Sequence, residues 1–304
     1  MRVLFITATR LGDAVLSTGL LDHLVRTMPE ARFTVACGPV ASGLFERLPR
    51  RERTLVVEKR RYDLHWLLVW RRCVATRWDL AIDLRGSAVT LLLPARRRAI
   101  MRGGRRAGHR TLHLAAVLGL DPPPSPVVWT GAADDAAAAA LLPPPGKQLV
   151  ALGPTANWSG KVWPAERFVA LFRQLAPALP GAVPVIVAGP GEAERAMAAP
   201  VLDALPGAID LCGRLSLPGV AAALRRCALF VGNDSGLMHL AAAAGTPTLG
   251  LFGPSRAEEY APTGRCAAFV QAPGPSGAAA MDGLTVQAVA DAALLLLDRA
   301  RREA

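Results

Sequence analysis

Val3-Leu-Phe-Ile-Thr-Ala-Thr-Arg-Leu-Gly-Asp-Ala-Val-Leu-Ser-Thr18 runs from an unbroken apolar stretch, through a polar turn, into residues with the apolar spacing of a helix. A short apolar run of this kind reads as a strand buried on both faces, and a helix directly behind it reads as a crossover. The chain is therefore expected to open as a parallel α/β unit, with a strand near 2–7 and a helix near 14–27. The turn between them lies beyond the carboxyl end of the strand, where open α/β sheets bind ligands. A dinucleotide-binding unit would place G-x-G-x-x-G there to admit a pyrophosphate. Only Gly12 is present, followed by Asp13. Asp13 has two readings: a cap on the free N–H groups of the helix, or a carboxylate that faces a ligand.

The alternation continues outward from this opening. Strands are expected near 32–37, 54–57 and 79–84, with helices near 41–48, 63–76 and 111–119. Prolines at 122–126 and 143–145 flank an Ala-rich helix at 134–142, which places the domain boundary between 1–145 and 146–304. The second half repeats the architecture. It has a strand at 148–153, a helix from Pro164, a strand at 183–188, helices from Gly191 and at 216–226, and a strand at 229–232. A helix from Ser235, a strand at 248–252 and a closing helix near 285–302 complete it. No fixed-period repeat is present. The fold class is α/β, two Rossmann-like doubly wound domains.

Composition narrows the function. With 52% hydrophobic and 19% charged residues, the 304-residue chain is neither disordered nor fibrous. Its five cysteines are scattered and never spaced C-x-x-C, which argues against a disulfide framework or a zinc knuckle. Arg10 and Asp13 interrupt the first apolar stretch before a signal-peptide core forms, and the longest uncharged stretches are broken by Gly and Pro. A cytoplasmic protein is expected. Residues 1–130 hold 22 Lys and Arg against 10 Asp and Glu, whereas 131–304 hold 13 against 14. Seven arginines, Arg96, Arg97, Arg98, Arg102, Arg105, Arg106 and Arg110, fall in one short stretch. They form either an anion-attracting patch or a solvated face. No aromatic residue lies among them to stack bases, so nucleic acid is not the expected partner.

Two further turns carry polar chemistry. Gly153-Pro-Thr-Ala-Asn-Trp-Ser-Gly-Lys-Val-Trp-Pro164 links a strand to a helix. Trp163 and Pro164 suit a stapled helix entry, but Lys161 has no structural duty there and is suited to neutralising a phosphate. Phe230-Val-Gly-Asn-Asp-Ser-Gly-Leu-Met-His239 leads a strand into an Ala-rich helix. Asn233, Asp234 and Ser235 offer capping groups, and the helix N-terminus is an anion seat. Asp234 is equally suited to holding sugar hydroxyls, and His239 reads as a core histidine or one that supports the site from behind.

The opening motif, D-L-R-G at 83–86, K-V-W-P-A-E-R-F at 161–168 and N-D-S-G-L-M-H-L-A-A-A at 233–243 followed by L-F-G-P-S resemble, in this order, the lipopolysaccharide heptosyltransferases of glycosyltransferase family nine. Residues 60–72 match no acceptor-binding pattern of that family, and 267–281 lack the cysteine-containing tail common in its members. The resemblance implies a GT-B architecture, two Rossmann-like domains facing across a cleft. It also implies inverting, metal-independent transfer of heptose from ADP-heptose to a lipopolysaccharide core. Asp13 falls on the family's general base and Lys161 on the lysine that meets the donor phosphates. Asp234, Ser235, Gly236 and His239 fall in its donor motif. Thr155 and Asn157 lie in the loop beside the donor, and Glu192 and Leu215 lie near its adenosine. Arg10, Gly12 and Arg85 fall on the acceptor side. No cofactor or metal is implied, because the ADP-sugar is a substrate. The implied acceptor is an anionic lipid-linked saccharide, which the basic half would meet by peripheral contact at the inner face of the inner membrane. A GT-B enzyme using another nucleotide-sugar, an epimerase on the same scaffold, and an anion- or nucleic-acid-binding protein without activity are the alternatives.

Overall fold

A computed structural model describes residues 1–103 and 107–303, which divide into two compact units, Met1–Trp129 and Thr130–Ala304. The first comprises β1 (Arg2–Ile6), α1 (Leu11–Thr27), β2 (Arg32–Cys37), α2 (Pro39–Ser42), β3 (Arg51–Val56), α3 (Leu64–Cys73), β4 (Trp78–Asp83), β5 (Ala95–Ile100) and α4 (Arg110–Ala116). A 3-10 turn at Ala88–Leu92 joins β4 to β5. All pairings are parallel and the strand order is β3-β2-β1-β4-β5.

The second unit comprises α5 (Ala132–Leu141), β6 (Leu149–Gly153), α6 (Ala165–Leu175), β7 (Val183–Ile186), α7 (Glu192–Ala204), β8 (Ile209–Asp210), α8 (Leu217–Leu224), β9 (Leu229–Asn233), α9 (Gly236–Ala243), β10 (Thr248–Phe252), α10 (Ala257–Tyr260), β11 (Ala267–Gln271) and α11 (Val286–Glu303). Its sheet, β11-β10-β9-β6-β7-β8, is again all parallel. Both sheets reverse direction of growth beside their first strand, between β1 and β4 and between β6 and β9. In doubly wound folds, ligands bind at the carboxyl ends of the strands at such a reversal.

Three strands have no counterpart in the sequence reading. β5 is the arginine-rich segment Ala95-Arg-Arg-Arg-Ala-Ile100, exposed along its middle because it is an edge strand. β8 is two residues long, and β11 is a half-buried edge. The unit boundary also differs from 145/146. The helix α5 packs on α8, Arg225 pairs with Asp135 at 2.8 Å, and Arg226 donates to the Pro143 carbonyl, so residues 130–145 belong to the second unit.

Tertiary packing fixes the two turns that matter. In the first unit, Gly19 of α1 lies against the backbone of Pro124, where a Cβ would come within 2.3 Å of the carbonyl oxygen. The Val127 N–H donates to Thr18 Oγ1 at 2.9 Å. In the second, Trp163 is fully buried, donates Nε1–H to the Leu284 carbonyl at 2.9 Å, and meets Phe168 edge to face at 5.0 Å. Trp163 precedes the N-cap Pro164 and Phe168 is four residues into α6, so the pair is the hydrophobic staple read from the sequence.

Candidate functional site

In the first unit, the β1–α1 turn and the β4 end meet at the strand reversal. Thr7 and Ser17 hydroxyls hydrogen bond at 2.7 Å, tying the turn to α1. The helix starts at Leu11 with Arg10 at the N-cap, so Asp13 lies in the first turn and does not cap. The capping alternative is thereby removed. The Asp13 carboxylate has no hydrogen-bond or ion-pair partner among the described residues, and it lines a cavity of about 480 Å³ with Thr7, Arg85, Arg102, Arg110 and His113.

The D-L-R-G turn is held by Asp83, which is fully buried. The Arg85 N–H donates to one carboxylate oxygen at 2.8 Å, and the Ser87 hydroxyl donates to the other at 2.6 Å. Burial pushes the Asp83 carboxyl above its ordinary range, and these bonds only partly oppose it. Gly86 takes φ +65°, and a Cβ there would approach the Met101 carbonyl oxygen to 2.8 Å. The turn delivers Arg85 to the cavity. Arg10 is exposed, and neither it nor Gly12 is among the cavity-lining residues.

The described members of the arginine run are placed differently from one another. Arg98 donates to the Thr90 and Leu93 carbonyls at 2.9 and 2.6 Å, holding the 3-10 turn, and Arg96 faces Asp79 at 3.6 Å. Arg102 and Arg110 line the cavity, and the Nε of Arg110 is buried without a partner among the described residues. Arg105 and Arg106 lie outside the described residues. Arg102, Arg110 and His113 were not recognised individually as site residues. The spacing of Arg110 and His113, three apart on α4, was their available signal.

In the second unit, Gly153 and Gly232 stand side by side on β6 and β9. A Cβ on either would come within 2.7 Å of the Phe230 ring. Beyond them, Lys161 Nζ meets Asp234 Oδ2 at 2.5 Å, with side chains 24% and 9% exposed. Lys161 therefore does have a structural partner, contrary to the sequence reading. Asn233 is fully buried and accepts the Trp163 N–H on Oδ1 at 3.1 Å, leaving Nδ2 without a partner. Ser235 occupies the N-cap of α9 but its side chain makes no capping bond, and its Oγ is buried and unsatisfied. None of the three expected capping groups caps this helix. Its first N–H groups, from Gly236 onward, and two unused polar atoms thus lie on residues next to Asp234 in the chain, a set of groups suited to a polyanion. Thr155 and His239 are buried nearby in sequence, and Asn157 is exposed on the loop.

Glu192 is the exposed first residue of α7 and lines a separate cavity of about 640 Å³. Arg195, Asp210 and Arg214, which sequence reasoning missed, line it as well. Arg195 pairs with Asp210 at 2.7 Å. Burial works against the charge on Asp210, yet the Cys212 N–H and the Arg195 guanidinium hold its carboxyl below the usual range. Leu215 is half-buried and does not line this cavity. Among the described residues, no three His, Cys, Asp or Glu side chains are placed to hold a metal ion, and no helix is long and apolar enough to cross a membrane.

The fold is that of a glycosyltransferase family 9 protein from Veillonella parvula (TM-score 0.83, 22% identity, covering 98% of this chain and 97% of that one). It is also that of the ADP-heptose lipopolysaccharide heptosyltransferase II of Escherichia coli (TM-score 0.78, 21% identity, both chains covered in full). In sequence, a lipooligosaccharide heptosyltransferase 2 of Campylobacter jejuni is 28% identical over 122 residues, 38% of this chain and 37% of that protein's length. The profile of glycosyltransferase family 9 (heptosyltransferase) matches residues 82–274, taking in the D-L-R-G turn from Asp83, the Lys161–Asp234 pair and the start of α9. That match spans more than half of the chain, which therefore belongs to glycosyltransferase family 9.

Proposed function

We propose that the chain transfers heptose from ADP-heptose to a hydroxyl of a lipopolysaccharide core acceptor, with inversion at the anomeric carbon. Single displacement needs a base for the acceptor hydroxyl and compensation for the charge on the departing diphosphate. In this reading Asp13 is the base and the cavity of the first unit takes the acceptor, with Arg85, Arg102 and Arg110 meeting its anionic groups. Lys161 and the N-terminus of α9 meet the diphosphate, Asp234 orients Lys161 and the sugar, and Glu192 lies toward the nucleoside. No metal is needed, since a lysine and a helix N-terminus supply the compensating charge. The acceptor is lipid-linked, so the enzyme works as a cytoplasmic protein at the inner face of the membrane.

The observation that carries this reading is Asp13: a carboxylate in the strand-reversal crevice, lining a cavity, and without a partner among the described residues. The other carboxylate at that strand end, Asp83, is buried and already hydrogen bonded. The test is transfer from ADP-heptose to purified core acceptor in EDTA, with the configuration of the new linkage read by NMR. Inversion with undiminished activity is expected. Retention of configuration, or a strict requirement for Mg²⁺, overturns the mechanism.

A further inference from the structure

Residues 59–72, Lys-Arg-Arg-Tyr-Asp-Leu-His-Trp-Leu-Leu-Val-Trp-Arg-Arg, lie outside the stretch that the family profile matches and take no part in either site described above. They build a helix with two different faces. His65, Val69 and Cys73 of α3 are buried against the first unit, while Leu64, Leu67, Leu68 and Arg71, spaced i, i+3, i+4 and i+7, form the opposite stripe. The 3-10 turn at Ala88–Leu92 packs beside α3, and Trp70 Nε1–H donates to the Leu92 carbonyl at 3.2 Å. Tyr62, Leu64, Leu67, Leu91 and Leu92 are each more than half exposed. The remaining exposed large apolar side chains among the described residues are scattered along the chain, so these two touching elements concentrate them.

The turn into α3 is built to present this face. Tyr62 and Asp63 adopt left-handed backbone angles, φ 56° and 55°, a conformation that side-chain-bearing residues seldom take. Tyr62 projects from this turn, with the Arg61 guanidinium 4.7 Å from its ring centre. The rim is cationic: Lys59, Arg60, Arg61, Arg71 and Arg72 stand against Asp63 alone.

We infer that this face docks the first unit on an anionic lipid bilayer, with Leu67 and Leu92 entering the acyl boundary and the arginines meeting the headgroups. Leucines flanked by Trp and Tyr and rimmed by Arg have the chemistry of an interfacial helix, and each basic residue near an anionic surface adds attraction. A second copy of the chain is a poor occupant, because symmetric pairing would oppose five cations to five. The inference rests on the reading above only in taking the acceptor to be lipid-linked. The larger basic cluster, Arg96 to Arg110, is not taken as the docking surface, since Arg98 holds two carbonyls and Arg102 and Arg110 line the cavity.

The experiment is sedimentation of the full chain with phosphatidylcholine vesicles, with and without phosphatidylglycerol and lacking any saccharide lipid. Binding is expected only with the anionic lipid. Leu67→Ser with Leu92→Ser should weaken it by about tenfold or more, since two apolar side chains no longer leave water. Lys59→Gln, Arg60→Gln and Arg61→Gln together should remove most of its salt sensitivity. In the unaltered protein, brominated acyl chains should quench tryptophan emission, a readout independent of how the variants fold. The inference is overturned by vesicle binding unchanged in the leucine variant, by absence of quenching, or by a lipid-free dimer that the leucine substitutions dissociate. A protein that binds these vesicles yet transfers no heptose would refute the enzymatic reading and leave this one standing.

Discussion

Replacing Lys161 by Ala tests whether the ion pair at the second strand reversal is a clamp, a phosphate site, or both. The Lys161 ammonium lies 2.5 Å from Asp234, whose side chain is only 9% exposed. Removing one partner of a fully buried pair costs about 3–5 kcal/mol, because the other charge is left without compensation. Here Lys161 is 24% exposed, so water enters when it is truncated, and about 2 kcal/mol is the expected loss. That lowers the melting temperature of a unit of this size by about 4–8 °C. Asp234→Asn strands the wetter partner and should cost less, about 1 kcal/mol, while Lys161→Met combined with Asp234→Asn should recover most of the stability. Calorimetric melting of the four proteins measures these differences. Titration with ADP measures the second role: losing a charge-assisted phosphate contact of about 1.5–3 kcal/mol weakens ADP by roughly tenfold to a hundredfold. Lower stability with wild-type ADP affinity would refute the phosphate role and leave only a structural clamp. Unchanged melting together with unchanged affinity would refute both.

Asp13→Asn should lower turnover by about a hundredfold to ten-thousandfold with ADP affinity unchanged. Its stability cost should stay below about 1 kcal/mol, since the carboxylate caps nothing and only favours the helix dipole; steady-state kinetics and melting read the two quantities. Asp83 has a raised carboxyl pKa, so the folded state retains its proton where the unfolded chain, near the ordinary 3.8, has lost it. Its contribution to stability therefore falls as pH rises from that value through the folded one. Asp83→Asn should abolish this slope in pH-dependent melting and raise the acceptor KM, because the Arg85 turn loosens. Arg98→Ala should destabilise the protein by about 1–2 kcal/mol through two lost bonds to carbonyls, whereas Arg97→Gln should leave melting unchanged; equal effects would mean that the run acts as a single surface.

The sheets were legible where strands are buried on both faces. β10 was expected at 248–252 and lies at Thr248–Phe252, and β6, β9 and α11 fall within a residue or so of expectation at most ends. Legibility failed at three edge strands, β5, β8 and β11, and held at the fourth, β3. β5 carries three consecutive arginines because an edge strand needs backbone pairing on one side only, and charge there discourages pairing with another chain. A pattern-based reading treats such a segment as surface. The α5 boundary failed for a different reason: a proline cluster marks a bend, but which body a helix joins is decided by packing with α8, far away in sequence.

The candidate site could be read from the sequence as residues, not as an arrangement. Lys161 and Asp234 stood out separately, but their pairing across 73 positions has no local signature, and neither does the failure of Ser235 to cap α9. The choice between carboxylates at the first crevice shows what the structure adds. Asp83 ends β4 and Asp13 follows β1 at the same reversal, and burial raises the Asp83 carboxyl above its ordinary range. Accessibility decides against it. Asp83 is fully buried and its oxygens accept from Arg85 and Ser87, so taking a proton would disrupt the turn that positions Arg85. Asp13 spends no hydrogen bond on the fold and lines the cavity. In the proposed mechanism the base must reach the acceptor proton, and of these two carboxylates Asp13 is the one that lines the cavity.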